Sequence, residues 1–325
     1  MGDNVTGENS SIVSGTTNLA AGSGAFVGGG TSNCACGKES FVGGGSGNDA
    51  SSSCSVIIGG EDNEVLTGAF NGFIGGGDEN CISSGRYGVI AGGHKNVVGG
   101  CASTVAGGIC NKGASECSSI GGGFRNCTCA LYGSIGGGIE NLISSTKGSI
   151  GGGALNCICT SSIAATIAGG CKVCANGNMT AVGGGYCNCA GGAYSTVAGG
   201  CGNSTVGGHA TVAGGCKNSG CNSGMFIGGG FCNTINATGS HQVVTGGYCN
   251  TLTSSASASV IVGGVHNYSQ SEATFVGAGS NNCIKAGSPS GVIVSGTNNT
   301  IETSDYATIV GGFGATICKD ASNSG

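Results

Sequence analysis

The chain has no tryptophan, a single proline at Pro289, and so few charges that ten Lys or Arg and fifteen Asp or Glu make up only 8% of it. Aromatic residues reach 5%. With so little large side-chain volume, 325 residues cannot build the thick core of a conventional enzyme domain. The basic residues gather nowhere into the patch that a phosphate backbone needs, which argues against nucleic acid as a partner. No apolar run approaches the roughly 20 residues that cross a bilayer, so membrane insertion is not expected. Met1-Gly2-Asp3-Asn4 also lacks the basic-then-apolar order of a signal peptide. Near-absence of proline, together with runs such as Gly28-Gly29-Gly30, excludes a collagen triple helix.

What is present in quantity is glycine, with 74 residues, and cysteine, with 22. Aligning the chain on its glycine pairs exposes a repeat that runs almost end to end. One column holds only Val or Ile and reads Val13, Val27, Val42, Ile57, Ile74, Ile90, Val105, Ile120, Ile135, Ile150, Ile167, Val182, Val197, Val212, Ile227, Val244, Ile261, Val276, Ile293 and Ile309, at spacings of 14 to 17 and most often 15. Glycine follows two residues later except at Ala278 and Ser295 and three residues later in nineteen of the twenty, and asparagine comes six residues after nearly every Val/Ile, with Val173 and Ala315 as substitutes. The longer units place their extra residues between the asparagine and the next Val/Ile, as from Asn63 to Ile74, which predicts one tolerant, exposed arm.

A unit this short cannot hold a helix and a strand, so each repeat is expected to be one coil of an all-β, parallel β-solenoid. About 20 coils stacked as parallel strands about 4.8 Å apart would make a single domain over 1–325 on the order of 95 Å long, with 316–325 a short C-terminal tail. Val42, Ile57, Ile74, Ile90, Val105, Ile120, Ile135, Ile150, Val197 and Val212 are expected to form the internal stack, because β-branched side chains cost little in extended backbone and interlock with the coil above. Paired glycines mark the corner, and the asparagine column can bond amide to amide from coil to coil. One Val/Ile column is too little burial for a chain whose backbone costs roughly 1–2 kcal/mol per residue to order. Coil-to-coil hydrogen bonds, cross-links or burial against other subunits must supply the rest.

Nineteen of the cysteines lie within three residues of the asparagine column. Neighbours in one column stand about 4.8 Å apart at Cα, inside the range a disulfide accepts, so Cys174 with Cys189 and Cys201 with Cys216 are candidate rungs. Free thiols acting as small hydrophobes in a narrow interior are the alternative. Cys171-Lys172-Val173-Cys174 is the one CxxC, and His94, His209, His241 and His266 share no column, which leaves zinc little to work with. Glu61, Asp62, Glu64, Asp78 and Glu79 cluster on successive coils and form a candidate Ca²⁺ site, weighed against solvated turn acids. No Ser/His/Asp column suggests a triad and no glycine triplet carries the Lys-Ser/Thr of a phosphate loop, so neither a catalytic residue nor a cofactor is expected.

Tyr194-Ser195-Thr196-Val197-Ala198-Gly199-Gly200 and Ser118-Ser119-Ile120-Gly121-Gly122-Gly123 resemble the head repeats of YadA-like trimeric autotransporter adhesins, which are similar to repeats in phage and giant-virus fibre proteins. The resemblance implies a left-handed parallel β-roll, a homotrimer, and a non-enzymatic fibre or adhesin head that attaches to a host surface protein or glycan from outside a cell or virion. Where that family has a second inward aliphatic residue this chain has Gly122 and Gly199, which implies an interior that is narrower or filled differently. The alternative function is an ice-binding or protective surface-coat solenoid, on account of Thr104, Thr166, Thr196, Thr211 and Thr308 just before the Val/Ile column. Phe26, Phe41, Phe73, Phe226 and Phe275 share that position and would make an apolar stripe suited to subunit packing if they face outward.

Overall fold

The computed structural model describes residues 2–160, 162–237 and 239–318. Short strands joined by tight turns give a parallel β-solenoid of about 21 coils, with a repeat near 15 residues and no helix among the described residues. Two compact units divide the chain, Met1–Ala164 and Ala165–Gly325.

Each coil contributes two strands, usually of two residues. In the first unit one sheet starts Asn4–Val5, Leu19–Ala20, Cys34–Ala35, and the other starts Ser11–Ile12, Phe26–Val27, Phe41–Val42. Every pairing is parallel and in register, as Cys34 with Asp49 in the first sheet and Phe41 with Val56 in the second. A third line of single-residue bridges runs beside them, Thr16 to Thr31 to Ser46 in the first unit and Cys171 to Tyr186 to Cys201 in the second. In the second unit the sheets run from Cys174–Ala175 to Thr316–Cys318 and from Thr166–Ile167 to Thr308–Ile309. The segment expected as a tail therefore begins as a strand; residues 319–325 lie outside the described residues.

The ten expected core residues, from Val42 to Val212, are all inside, none more than 1% exposed. The column begins one residue earlier than the glycine alignment suggested. Ile12, not Val13, pairs with Val27, and Val13 is 69% exposed. With Ile12 in place the first spacing becomes 15 and Asn18 falls six residues on, as the repeat requires.

The interior is wider than one column. From the second coil on, the second residue of the first-sheet strands also points inward: Ala20, Ala35, Ala50, Val65, Ile82 and Val98 are fully buried, as are Ile143 and Ile158. A third inward line precedes each Val/Ile by two residues and includes Ala25, Ser40, Ser55, Ser103 and Met225. These two lines trade volume. Beside Ile143 the third line has Gly148, where a Cβ would come within 2.7 Å of the Ile143 Cγ2, and Gly88 stands in the same relation to Ile82 at 2.9 Å. Beside Gly220 the third line instead carries Met225. The exchange is local: Gly113 has only Ser118 beside it, whereas the coil of buried Leu252 also buries Ser259. Of the two interiors that Gly122 and Gly199 imply, narrower or filled differently, the structure has the second: those glycines sit on the outer turn, and the second apolar column lies on the opposite strand.

Asparagine supplies a buried ladder. Asn33 donates its backbone N–H and its Nδ2 to the Asn18 Oδ1 at 3.0 and 3.1 Å, and Nδ2 also reaches the Gly29 and Gly45 carbonyls at 2.9 Å each. The same set recurs through Asn48, Asn63 and Asn80 and again from Asn233 to Asn250. At the first coil Asp3 takes the asparagine's place and accepts from the Asn18 N–H and Nδ2. A carboxylate fits there because the first position needs only to accept.

Glycine is required at one corner position and optional at its neighbour. At Gly45, with φ near +95°, a Cβ would lie 2.1 Å from the Gly60 carbonyl oxygen. At Gly44 the nearest atom would be 3.8 Å away.

Candidate functional surface

With the interior filled, chemistry-bearing side chains occupy the outside in columns one coil apart. None of the 22 cysteines is buried. The reading of thiols as interior filling is therefore corrected: Val, Ile, Ala and Ser take that space, and cysteine falls on positions whose side chains point out. In the first sheet, cysteine precedes the inward residue, as at Cys34, Cys81, Cys127 and Cys283, and is half-buried against the coils on either side.

Two residues on along an extended chain, a second side chain emerges on the same face. Cys34 and Cys36 use this geometry to form a disulfide within one coil, spanning 5.5 Å at Cα. Cys127 and Cys129 share the spacing, with sulfurs 3.0 Å apart, and Cys157 and Cys159 stand 3.7 Å apart. These pairs lie within one coil, whereas the candidate rungs Cys174 with Cys189 and Cys201 with Cys216 run between coils; the Cys-x-Cys spacing is what marks them in the sequence.

The proposed rungs are neighbours as expected. Cys174 and Cys189 pair in register, with Asn176 between their sulfurs: the Cys174 Sγ donates to Asn176 Oδ1 at 2.7 Å and Asn176 Nδ2 donates to the Cys189 Sγ at 3.8 Å. Cys201 and Cys216 are bridge partners at the corner and remain thiols. In the CxxC, Cys171 belongs to the corner line and Cys174 to the outer face of the first sheet, with buried Val173 between them.

Burial, reinforced by the Glu64 charge, lifts the Cys81 thiol to about 11. Burial, then the hydrogen bond and charge of Cys129, lifts Cys127 to about 12 against the opposing pull of Lys112. At the corner, desolvation followed by the neighbouring Cys216 raises Cys201, and desolvation followed by Cys232 raises Cys249.

The five acids do not gather in one place. Glu61 and Asp78 are bridge partners at the corner, and Asp62 and Glu79 sit beside them on left-handed backbone. Glu64 points from the outer face of the first sheet, between Asp49 and Cys81. The next coil supplies partners: His94 Nδ1 lies 2.9 Å from Asp78 and the Lys95 Nζ 3.3 Å from Glu79. Asp78, Glu79 and His94 each place a ligand atom within 4.8 Å of the others, as do Cys34, Cys36 and Asp49, although the first two of the latter are tied in their disulfide.

The residue before each Val/Ile faces outward on the second sheet. Phe26 and Phe41 stack there with centroids 5.2 Å apart, and the line continues through Val56, Phe73 and Val89 before turning polar at Thr104 and Ser119. In the second unit the polar stretch comes first, with Thr196 and Thr211, followed by Phe226, Val243, Val260, Phe275 and Val292. The threonines named above are separated by other residues except at Thr196 and Thr211. Comparison with protein-family models finds no match, and a search of curated proteins likewise finds none.

Proposed function

We propose that the chain is a non-enzymatic structural fibre or adhesin head, akin to the YadA-like repeats, that assembles as a homotrimer and presents a repetitive surface to a host protein or glycan from outside a cell or virion. The observation that carries this reading is the outer face of the second sheet. In each unit it holds an apolar run of five coils, Phe26 to Val89 and Phe226 to Val292, with Phe73, Phe226 and Phe275 between 37 and 39% exposed. Burying such a stripe against identical copies is the ordinary fate of a large apolar patch, and a closed ring of three satisfies each copy in the same way. The filled interior and the column-by-column exterior suit display better than they suit a reaction centre.

Light scattering coupled to size exclusion tests the assembly. The expected mass is three times 30.6 kDa, with and without reductant. A monomer at 30.6 kDa would overturn the trimeric head. Attachment is tested by retention of fluorescent protein on matrix-coated and glycan-coated surfaces, where no retention above a bare surface would remove the adhesin assignment and leave the structural one.

A further inference from the structure

The corner just before the asparagine ladder differs between the two units. In the first it carries charged and mixed residues, including Asp78, Glu79, His94, Arg125 and Glu140, and one cysteine, Cys110. In the second, six successive coils each place one cysteine there: Cys171, Cys187, Cys201, Cys216, Cys232 and Cys249. The backbone holds this line rigidly, since the Cys187 N–H donates to the Cys171 carbonyl at 3.0 Å and the Cys232 N–H to the Cys216 carbonyl at 2.9 Å. Cys201 and Cys216 are direct bridge partners, and Cys232 and Cys249 occupy the same position in adjacent coils on left-handed backbone with φ of 55 and 53°. All six are half-buried or exposed thiols.

The rest of the corner suits soft chemistry. The twelve residues that form it over these coils include neither Asp nor Glu. The two lysines lean over aromatic rings, Lys172 above Tyr186 at 5.9 Å and Lys217 above Phe231 at 5.8 Å, and Phe231 and Tyr248 stack at 5.3 Å. His266 follows Cys249 in the next coil.

We propose that this thiol line is a binding edge for soft monovalent d¹⁰ cations of the Cu(I) class. Hard ions want oxygen, of which the corner offers no carboxylate. Zn²⁺ wants four ligands in a tetrahedron. Cys201 with Cys216 and Cys232 with Cys249 place two thiols at matching positions of neighbouring coils, which suits the two-coordinate thiolate arrangement that soft monovalent cations take. As each metal–sulfur bond forms, an S–H bond breaks and its proton goes to solvent, with no change of oxidation state.

The test uses the full chain, reduced and anaerobic, titrated with Ag(I) and then with Cu(I) against a bathocuproine competitor. Replacing the six corner cysteines by serine is expected to remove about three ions per chain at two thiolates each. The control pair Cys127→Ser and Cys129→Ser should leave those ions bound. Equal stoichiometry and affinity in the six-serine variant would overturn the proposal. A second readout needs no variant: the wild-type protein receives up to three equivalents of Ag(I), is alkylated with iodoacetamide, and is mapped by mass spectrometry. Protection of the corner six ahead of Cys54, Cys117 and Cys127 is the expected result; protection spread evenly, or appearing first at Cys127, would sink the idea.

Discussion

The Met225 side chain lies across Gly220, its sulfur 1.9 Å from where a Gly220 Cβ would stand. One residue lends its volume to the other, five positions away and immediately before the facing strand Phe226–Ile227. The Gly220→Val variant is therefore expected to lose about 1–3 kcal/mol through overpacking. Combining Gly220→Val with Met225→Ser recreates the Val98 and Ser103 arrangement of another coil and should recover most of that loss. Urea unfolding of the singles and the double gives the coupling, and strict additivity would contradict the volume trade.

One coil beyond Met225 the same inward position holds Gln242, fully buried, whose Oε1 and Nε2 have no hydrogen-bond partner in the structure. Burying an unpaired amide costs roughly 1–3 kcal/mol. The Gln242→Met substitution should raise stability by an amount of that order, visible as a higher urea midpoint. A drop would mean that the amide is satisfied in solution.

Adjacent glycines should respond oppositely to the same change. Gly200 has φ near +93°, and a Cβ there would meet the Gly215 carbonyl oxygen at 2.1 Å, so Gly200→Ala is expected to cost at least about 2 kcal/mol. Gly199 has nothing within 4 Å of its Cβ position, and Gly199→Ala should stay within about 0.5 kcal/mol of wild type. Thermal melts of the two variants decide it.

Asn126 makes three Nδ2 bonds, to Asn111 Oδ1 at 3.2 Å, Gly122 O at 2.9 Å and Gly138 O at 2.8 Å, while its Oδ1 accepts from the Asn141 N–H and Nδ2 at 3.0 Å each. The Asn126→Ala truncation strands several buried groups and should cost on the order of 3 kcal/mol. Asn126→Asp should be worse still, because the new carboxylate faces the Asn111 oxygen with no proton to give. Asp3 is tolerated because it only accepts from Asn18. Denaturant curves that rank Asn126→Asp as more stable than Asn126→Ala would refute the acceptor argument.

Cys81 and Cys127 have folded-state values of about 11 and about 12 against an ordinary 9.0. Below the ordinary value the thiols are protonated in the folded and unfolded chain alike, so they leave stability flat there. Above it the unfolded chain sheds its thiol protons first, and stability falls as pH rises toward the folded-state values. Unfolding midpoints from about pH 8 to 11 should show this decline, and Cys127→Ser should make it shallower. An unchanged slope would exclude Cys127 as its source.

The Val/Ile stack, the asparagine ladder and the obligatory glycine were legible because each position tolerates almost one chemistry. Val and Ile alone fill the constant slot, the amide alone both donates and accepts, and glycine alone fits φ near +95° under a carbonyl, as at Gly45. At Ile12 and Val13 the identities were ambiguous, since either is β-branched, and the distance to Asn18 was the deciding cue. The second inward column was not legible. It runs from Gly113 and Gly220 to Ile143 and Leu252, so no single residue type marks it, and at some coils a residue beside the facing strand takes up its volume, as Met225 does for Gly220.

The repeat length, the parallel stacking and the columns themselves were thus determined by the sequence, through local rules that act within one coil. Which columns face in and which face out was decided by the tertiary structure. Inward residues must fill a closed cross-section together, whereas outward ones such as the corner cysteines of the second unit are released from that constraint and meet only their neighbours one coil above and below.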